Sequence, residues 1–216
     1  MTNRFNATDK GTRRMNQVSL HFDTDVAENL AWSAKTYVNT FDDRRWTQYW
    51  RTSAQQERDA YETQYGALTS LTWRPEVSWL YDFALEGGAD VQQQQNKSER
   101  YRTKDRARLA TTRDQQFDFD TYGAYVQAEI KPFESLKIVP AYRVDKIQGE
   151  FTNEMTGLDY DINDYGLIKQ PKLSVVYSPW DAASFYANWG RTFQVGTGAA
   201  AYKIPPRDID LAPSIN

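Results

Sequence analysis

Between Asp120 and Asp145 the chain alternates with a period of two on both sides of a single break. Tyr122, Ala124, Val126, Ala128 and Ile130 share one parity, and Gly123, Tyr125, Gln127 and Glu129 share the other. Past the break, Leu136, Ile138, Pro140, Tyr142 and Val144 alternate with Lys137, Val139, Ala141, Arg143 and Asp145. A period of two with one apolar face is the strand signature. The break itself, Lys131-Pro132-Phe133-Glu134-Ser135, is short and carries a proline, which sets φ and cannot donate to a ladder. Each arm is about 10 residues long, enough to cross a bilayer when tilted.

The same pattern recurs along the chain. Val18, Leu20 and Phe22 alternate with Ser19 and His21, and Leu30, Trp32, Ala34, Thr36 and Val38 alternate with Ala31, Ser33, Lys35, Tyr37 and Asn39. Tyr61 to Trp73 forms another alternating arm, and after Arg74-Pro75-Glu76 the residues Val77, Trp79, Tyr81, Phe83 and Leu85 predict its partner. A last hairpin is predicted over Pro171 to Phe193. That makes about eight strands, fewer than in the large barrels. Tight turns fall near positions 24, 75, 133 and 180. The segments 42–59, 97–114, 150–168 and 194–216 read as long loops, and Met1 to Arg14 as a polar lead-in. Short turns at one end and long loops at the other are the habit of bacterial outer-membrane barrels. A soluble sandwich has no reason to sort its loops by length.

Composition permits this reading. Mean hydropathy is -0.78, and no run of 18 apolar residues exists for a helical span; a membrane barrel needs neither, because only every second strand residue meets lipid. Fourteen Tyr and seven Trp suit two interfacial belts. The candidates are Trp73, Trp79, Tyr177 and Trp180 beside the tight turns, and Tyr37, Trp46, Trp50 and Tyr61 near the other ends. The expected fold class is therefore all-β: an antiparallel transmembrane β-barrel segment of meander hairpins.

The strand Tyr125-Val126-Gln127, the turn Lys131-Pro132-Phe133-Glu134-Ser135-Leu136 and the strand ending Tyr142-Arg143-Val144-Asp145 together resemble the barrel of TonB-dependent outer-membrane receptors. Gln170 to Phe193, QPKLSVVYSPWDAASFYANWGRTF, resembles the repeat of that pattern in the same family. The resemblance covers about residues 15–195. It implies a piece of a barrel of roughly 22 strands, in the bacterial outer membrane, with residues 1–216 forming one partial barrel domain. Met1 to Asn6 leads into polar residues without the apolar core of a signal peptide. Neither a plug domain nor an aromatic-ended closing strand is recognisable, so the expectation is a fragment of a longer chain.

The resemblance further implies uptake of a ferric siderophore or similar metal chelate, powered by the TonB–ExbB–ExbD system acting on the missing plug. Outer-membrane lipid and lipopolysaccharide would surround the barrel. A passive porin-like or structural barrel is the alternative, and a soluble carbohydrate-binding β-sandwich a more distant one.

Other chemistry is thinly represented. There is no cysteine, hence no thiolate site or disulfide framework. The single His21 has no partner motif, and HExxH, GxSxG and P-loop patterns are absent, so neither an enzyme nor a cofactor is expected. Asp159-Tyr160-Asp161-Ile162-Asn163-Asp164 starts like a calcium loop, but Asp164 stands where glycine is required and Gln170 where the bidentate glutamate is required; no metal site is expected. A net charge of -3 argues against a nucleic-acid partner.

Charge is nevertheless segregated. Lys97 to Arg113 carries seven cations against Glu99 and Asp105. The loop alternation puts it outside the cell, beside the second charged loop. The expected ligand-binding residues are Arg44, Arg45, Trp46, Tyr49, Trp50 and Arg51 from one, and Arg100, Tyr101, Arg102, Arg106 and Arg108 from the other. Guanidinium groups pair bidentately with carboxylate or phosphate and stack on flat surfaces. Arg143 and Asp145, on the polar side of their strand, are expected to face the lumen, where the family's plug would contact them.

Overall fold

A computed structural model describes residues 7–162, 165–194 and 214–215. Asn163 and Asp164 of the calcium-like motif, the start of the lead-in and most of the region after Gln194, including its proposed ending, lie outside the described residues.

Eight strands form one antiparallel meander: β1 (Lys10–Ala27), β2 (Leu30–Thr47), β3 (Gln55–Trp73), β4 (Asp82–Lys104), β5 (Ala107–Phe133), β6 (Leu136–Asn153), β8 (Ile168–Trp180) and β9 (Ala183–Gly190). The short β7 (Leu158–Asp161) pairs with the end of β6, and β10 (Phe193–Gln194) pairs with β11 (Ser214–Ile215). The main strands lie in one sheet, not in two facing layers. The sandwich reading therefore fails, since it needs a second sheet to bury the apolar side chains of the first.

Register places every alternating set on a consistent side. Val18, Val38, Tyr65 and Gln93 pair across β1 to β4, and Val91, Tyr122 and Lys146 across β4 to β6. One face thus carries a continuous apolar band. It runs through Val18–Val26, Leu30–Val38, Tyr65–Trp73, Phe83–Val91, Tyr122–Ile130 and Leu136–Val144, and ends on Leu173–Tyr177 and Ala183–Trp189. Val18, Leu20, Leu71, Val126, Tyr142 and Phe185 in it are left open to the surroundings. The first six strands contribute about 9 residues each, the length of a tilted membrane strand. The opposite face is polar at the same depth, with Lys35, Asn39, Gln64, Asp90, Gln92, Arg143 and Lys172.

Three expectations are corrected. Two of the segments read as long loops, 42–59 and 97–114, are mostly strand. β2 continues to Thr47, β3 resumes at Gln55, and β4 and β5 run on to a two-residue turn, so Lys97 to Arg113 is the end of a hairpin. Asp105 and Arg106 form that turn at φ 51 and 70, the pair of left-handed residues that a tight hairpin demands. Lys10 to Arg14 likewise belongs to β1. These stretches are hydrophilic on both faces because they rise beyond the membrane, so an apolar alternation could not reveal them.

The second correction is that β4 starts at Asp82, leaving Val77 to Tyr81 in the turn. Leu80 N–H closes it onto the Val77 carbonyl at 2.9 Å. The third concerns aromatics. Trp73, Trp79, Tyr177 and Trp180 do stand exposed at the short-turn end. At the other edge of the band the belt is made of Tyr65, Tyr122, Tyr142 and Trp189. Tyr37 points to the polar face, and Trp46, Trp50 and Tyr61 lie well past the band.

The polar face holds its side chains flat. Tyr37 lies across Gly66 of the neighbouring strand, where an added Cβ would fall 2.5 Å from the ring. Its hydroxyl thereby donates to Gln92 Oε1 at 2.7 Å. Gln64 donates to Gln94 at 3.1 Å, and Gln94 to Asn96 at 3.2 Å. The glutamine run is thus part of a hydrogen-bonded wall. Beyond the band, on this same face, Ile147, Phe151, Ile162 and Ile168 form a small buried cluster. Phe117 and Tyr160 pack against Phe151, with ring centroids at 5.0 and 6.1 Å.

Candidate functional site

The charged residues past the band divide into two systems, on opposite faces of β2 to β5. On the side continuous with the apolar band, Glu57 and Asp59 are almost fully buried, at 2% and 1% exposure. Arg108 grips Glu57 with two prongs, Nε to Oε2 at 3.0 Å and Nη2 to Oε1 at 2.8 Å, and reaches Asp59 Oδ2 at 2.7 Å. Arg44 closes the other side, donating to Asp59 Oδ1 at 3.1 Å and to the Tyr61 hydroxyl at 2.6 Å. The Arg108 guanidinium also sits 3.7 Å from the Tyr101 ring centroid, and Arg44 lies 5.9 Å from that of Trp46. Burial pushes the Asp59 carboxyl up against the pull of Arg44. The hydrogen bonds it donates to Glu57 push the Arg108 guanidinium above its usual range.

Arg106 contributes its backbone: the N–H donates to Gln55 Oε1 at 3.0 Å. Thr103 Oγ1 donates to the same oxygen at 3.3 Å. Arg44, Trp46, Tyr101, Arg106 and Arg108 are therefore tied into a fastening of the hairpin on its outer side. That clamp holds together strands whose ends have no apolar band to support them.

The second system lies on the polar face. Arg45 pairs in register with Arg58, Arg58 with Arg100, and Arg100 with Arg113. Four consecutive strands thus present arginine at one level. Asp43 holds the near end, 3.3 Å from Arg45 and 3.6 Å from Arg13. Tyr49, at the edge of the 48–54 turn, places its ring 5.0 Å beneath the Arg58 guanidinium. Burial lowers the proton affinity of Arg100, and the neighbouring charges of Arg58 and Arg113 lower it further. Arg102 continues the column above Arg100. Trp50 and Arg51 stand exposed in the turn, which Ser53 closes by donating its N–H to the Trp50 carbonyl at 3.0 Å.

Of the residues expected from sequence, Arg45, Tyr49, Arg100 and Arg102 come together on the polar face, with Trp50 and Arg51 at its rim. The other five belong to the outer fastening, Arg106 through its backbone N–H. Arg58 and Arg113 were not singled out. Their signal was present in register: once 42–59 and 97–113 are strands, their parity puts them in one row with Arg45 and Arg100.

Lower on the polar face, at membrane depth, Arg143 donates to both Asp90 oxygens at 2.7 and 2.9 Å and from Nη2 to Asp145 at 2.7 Å. The side chain passes directly over Gly123, where a Cβ would lie 2.1 Å from Nη2. Gln170 completes the network by donating to Asp145.

A family model matches almost the whole of this chain. It is described as TonB dependent receptor-like, beta-barrel, and covers residues 2–214. The chain belongs to the TonB-dependent receptor β-barrel family. Members are outer-membrane proteins and transporters, not enzymes. Among curated proteins none matches closely enough to count as a relative.

Solved structures agree on the fold. The ferric citrate transporter FecA in its unliganded form superposes with a TM-score of 0.76 at 16% identity, over 86% of this chain and 28% of that one. The ferric-catecholate import receptor Fiu from E. coli K12 gives 0.71 at 12% identity, over 97% and 38%. The siderophore receptor PiuA from Acinetobacter baumannii gives 0.69 at 10%, over 86% and 33%. The chain thus spans about a third of the length of these receptors. Within such a barrel the apolar band meets lipid, and the polar face of this TonB-dependent receptor segment lines the lumen.

Proposed function

We propose that the chain is part of the wall of an active importer that captures an iron chelate, a ferric siderophore or similar complex, at the cell surface. Membership of the TonB-dependent receptor family carries this reading. The ferric-complex receptors among its structural neighbours support it. Arg45, Tyr49, Arg100 and Arg102, with Trp50 and Arg51 at the rim, would meet the chelate at the mouth of the lumen. Cations on a concave wall concentrate an anion before it docks.

Energy would come from the TonB–ExbB–ExbD system through a plug elsewhere in the protein. The network of Arg143, Asp90 and Asp145 would face that plug with its charges already matched internally, so the contact would be one of shape and hydrogen bonding. Lysines on the outer face past the band, among them Lys97 and Lys146, would meet lipopolysaccharide phosphates.

Titration of the purified full-length receptor with a ferric catecholate, a ferric hydroxamate, ferric citrate, haem and cobalamin tests this by intrinsic tryptophan fluorescence. Saturable quenching by a ferric chelate is expected. Saturation by cobalamin alone, or by none of the five, would overturn the iron reading.

A further inference from the structure

The arginine row is distinctive in what it lacks. Like charges directly opposite one another on neighbouring strands are destabilising, and here that juxtaposition occurs three times in succession: Arg45 with Arg58, Arg58 with Arg100, and Arg100 with Arg113. Asp43 compensates the first arginine only. Among the described residues no carboxylate lies within ion-pairing distance of Arg58, Arg100 or Arg113. Arg58 Nε is buried and has no hydrogen-bond partner, although buried donors are almost always satisfied.

The reverse side of the same strands shows that this is not a general property of the hairpin ends. There Arg44 and Arg108 are matched atom for atom with Glu57 and Asp59. At this level of the wall Arg44 and Arg108 are neutralised on the outward side, while Arg58, Arg100 and Arg113 on the lumen side are left uncompensated.

We infer that the row Arg45–Arg58–Arg100–Arg113 is the seat of a ferric chelate whose negative charge is carried on several carboxylates. This rests on the iron-chelate reading and narrows it to one class of substrate. Neighbouring strands are about 4.8 Å apart, so four of them spread the guanidinium groups over about 14 Å. That extent lets two or three carboxylates of one complex each meet a planar fork, the geometry in which guanidinium binds a carboxylate with two parallel hydrogen bonds. Bringing the anion in would offset the repulsion of Arg58 and Arg113 that, after burial, lowers Arg100.

Other occupants fit less well. A neutral hydroxamate complex leaves three cations unmatched. A catecholate complex is also anionic, but its charge sits on phenolate oxygens bound to the iron, and it offers no carboxylate edge for a two-pronged hydrogen bond. Lipid phosphates approach the opposite face.

The test uses the purified full-length receptor and isothermal titration at two salt concentrations. The probes are ferric citrate and ferric–EDTA for polycarboxylates, with an uncharged ferric hydroxamate and a ferric catecholate for comparison. Wild type should bind a polycarboxylate probe with an affinity that falls as salt rises. The double variant Arg58→Gln/Arg100→Gln should lose roughly 30-fold or more and show a flatter salt dependence, with a melting temperature no lower than that of wild type, since it removes the repulsion between like charges. Arg14→Gln, on the other face, should bind like wild type.

Unchanged polycarboxylate affinity in the double variant would overturn the inference, as would an equal loss for the uncharged hydroxamate. A wild type that binds only the hydroxamate or the catecholate would also overturn it, while leaving the iron-chelate reading standing. Failure of every ferric probe would remove both.

Discussion

Glu57 and Arg108 are 51 residues apart in the chain and meet as a two-pronged ion pair that fastens the outer side of the β4–β5 hairpin to β3. The Glu57 side chain is 3% exposed and that of Arg108 42%. Removing the arginine would leave a buried carboxylate beside a second one, Asp59, held by Arg44 alone. Breaking a fully buried pair costs about 3–5 kcal/mol; the solvent-facing side of Arg108 reduces this to about 2 kcal/mol. In the full-length receptor, Arg108→Ala should accelerate amide exchange in residues 103–110 and 55–59 while leaving the band unaffected. Unaltered protection there would show that the clamp does not hold the hairpin.

Arg143 depends on a residue that it does not bond. Its guanidinium reaches Asp90 only by lying over Gly123, so Gly123→Val should displace it and strand two carboxylates on the polar face. A loss of about 2–3 kcal/mol is expected, by analogy with breaking a charged hydrogen bond. Gly87→Ala is the control, because its Cβ would meet only the Tyr125 carbonyl at an ordinary 3.7 Å. Thermal melts of the two variants in the full-length barrel should separate by several degrees; coincident melts would contradict the close-approach role of Gly123.

Leu68 and Val126 test the assignment of faces. Both are open, at 39% and 47% exposure, and hydropathy alone treats them alike. Register puts Val126 in the middle of the apolar band and Leu68 on the polar face, paired with Lys35 and Asp90. Val126→Arg should therefore cost about 2–4 kcal/mol of barrel stability. Leu68→Arg should cost little, with Asp90 close enough to receive the charge. Equal costs in a urea refolding titration into bilayers would mean that the faces are wrongly assigned.

The membrane-level part of this fold was legible because lipid imposes a rule on every second residue. The parity of Tyr122 to Ile130 and of Leu136 to Val144 could be read directly, and the turn between them was announced by proline. Past the membrane that rule lapses. Gln92 to Lys104 is polar on both faces, so its strand shows only through pairing with β3 and β5, which no local pattern encodes. The candidate site suffered most from this. With 42–59 and 97–113 read as loops, every arginine in them looked equivalent. The strands sort them by parity, sending Arg44 and Arg108 outward to Glu57 and Asp59, and Arg45, Arg58, Arg100 and Arg113 inward. Arg58 was hidden because its partners lie 42 and 13 positions away, at Arg100 and Arg45.

Radioiron uptake by cells tests the central claim most directly. Cells expressing the intact receptor in a background deleted for other iron receptors would be supplied in turn with labelled ferric citrate, ferric hydroxamate and ferric catecholate, with and without functional TonB. The account predicts accumulation of iron from at least one chelate, abolished by loss of TonB and by deletion of the receptor. Uptake that persists without TonB would indicate a passive pore, and no receptor-dependent iron uptake from any chelate would contradict the account.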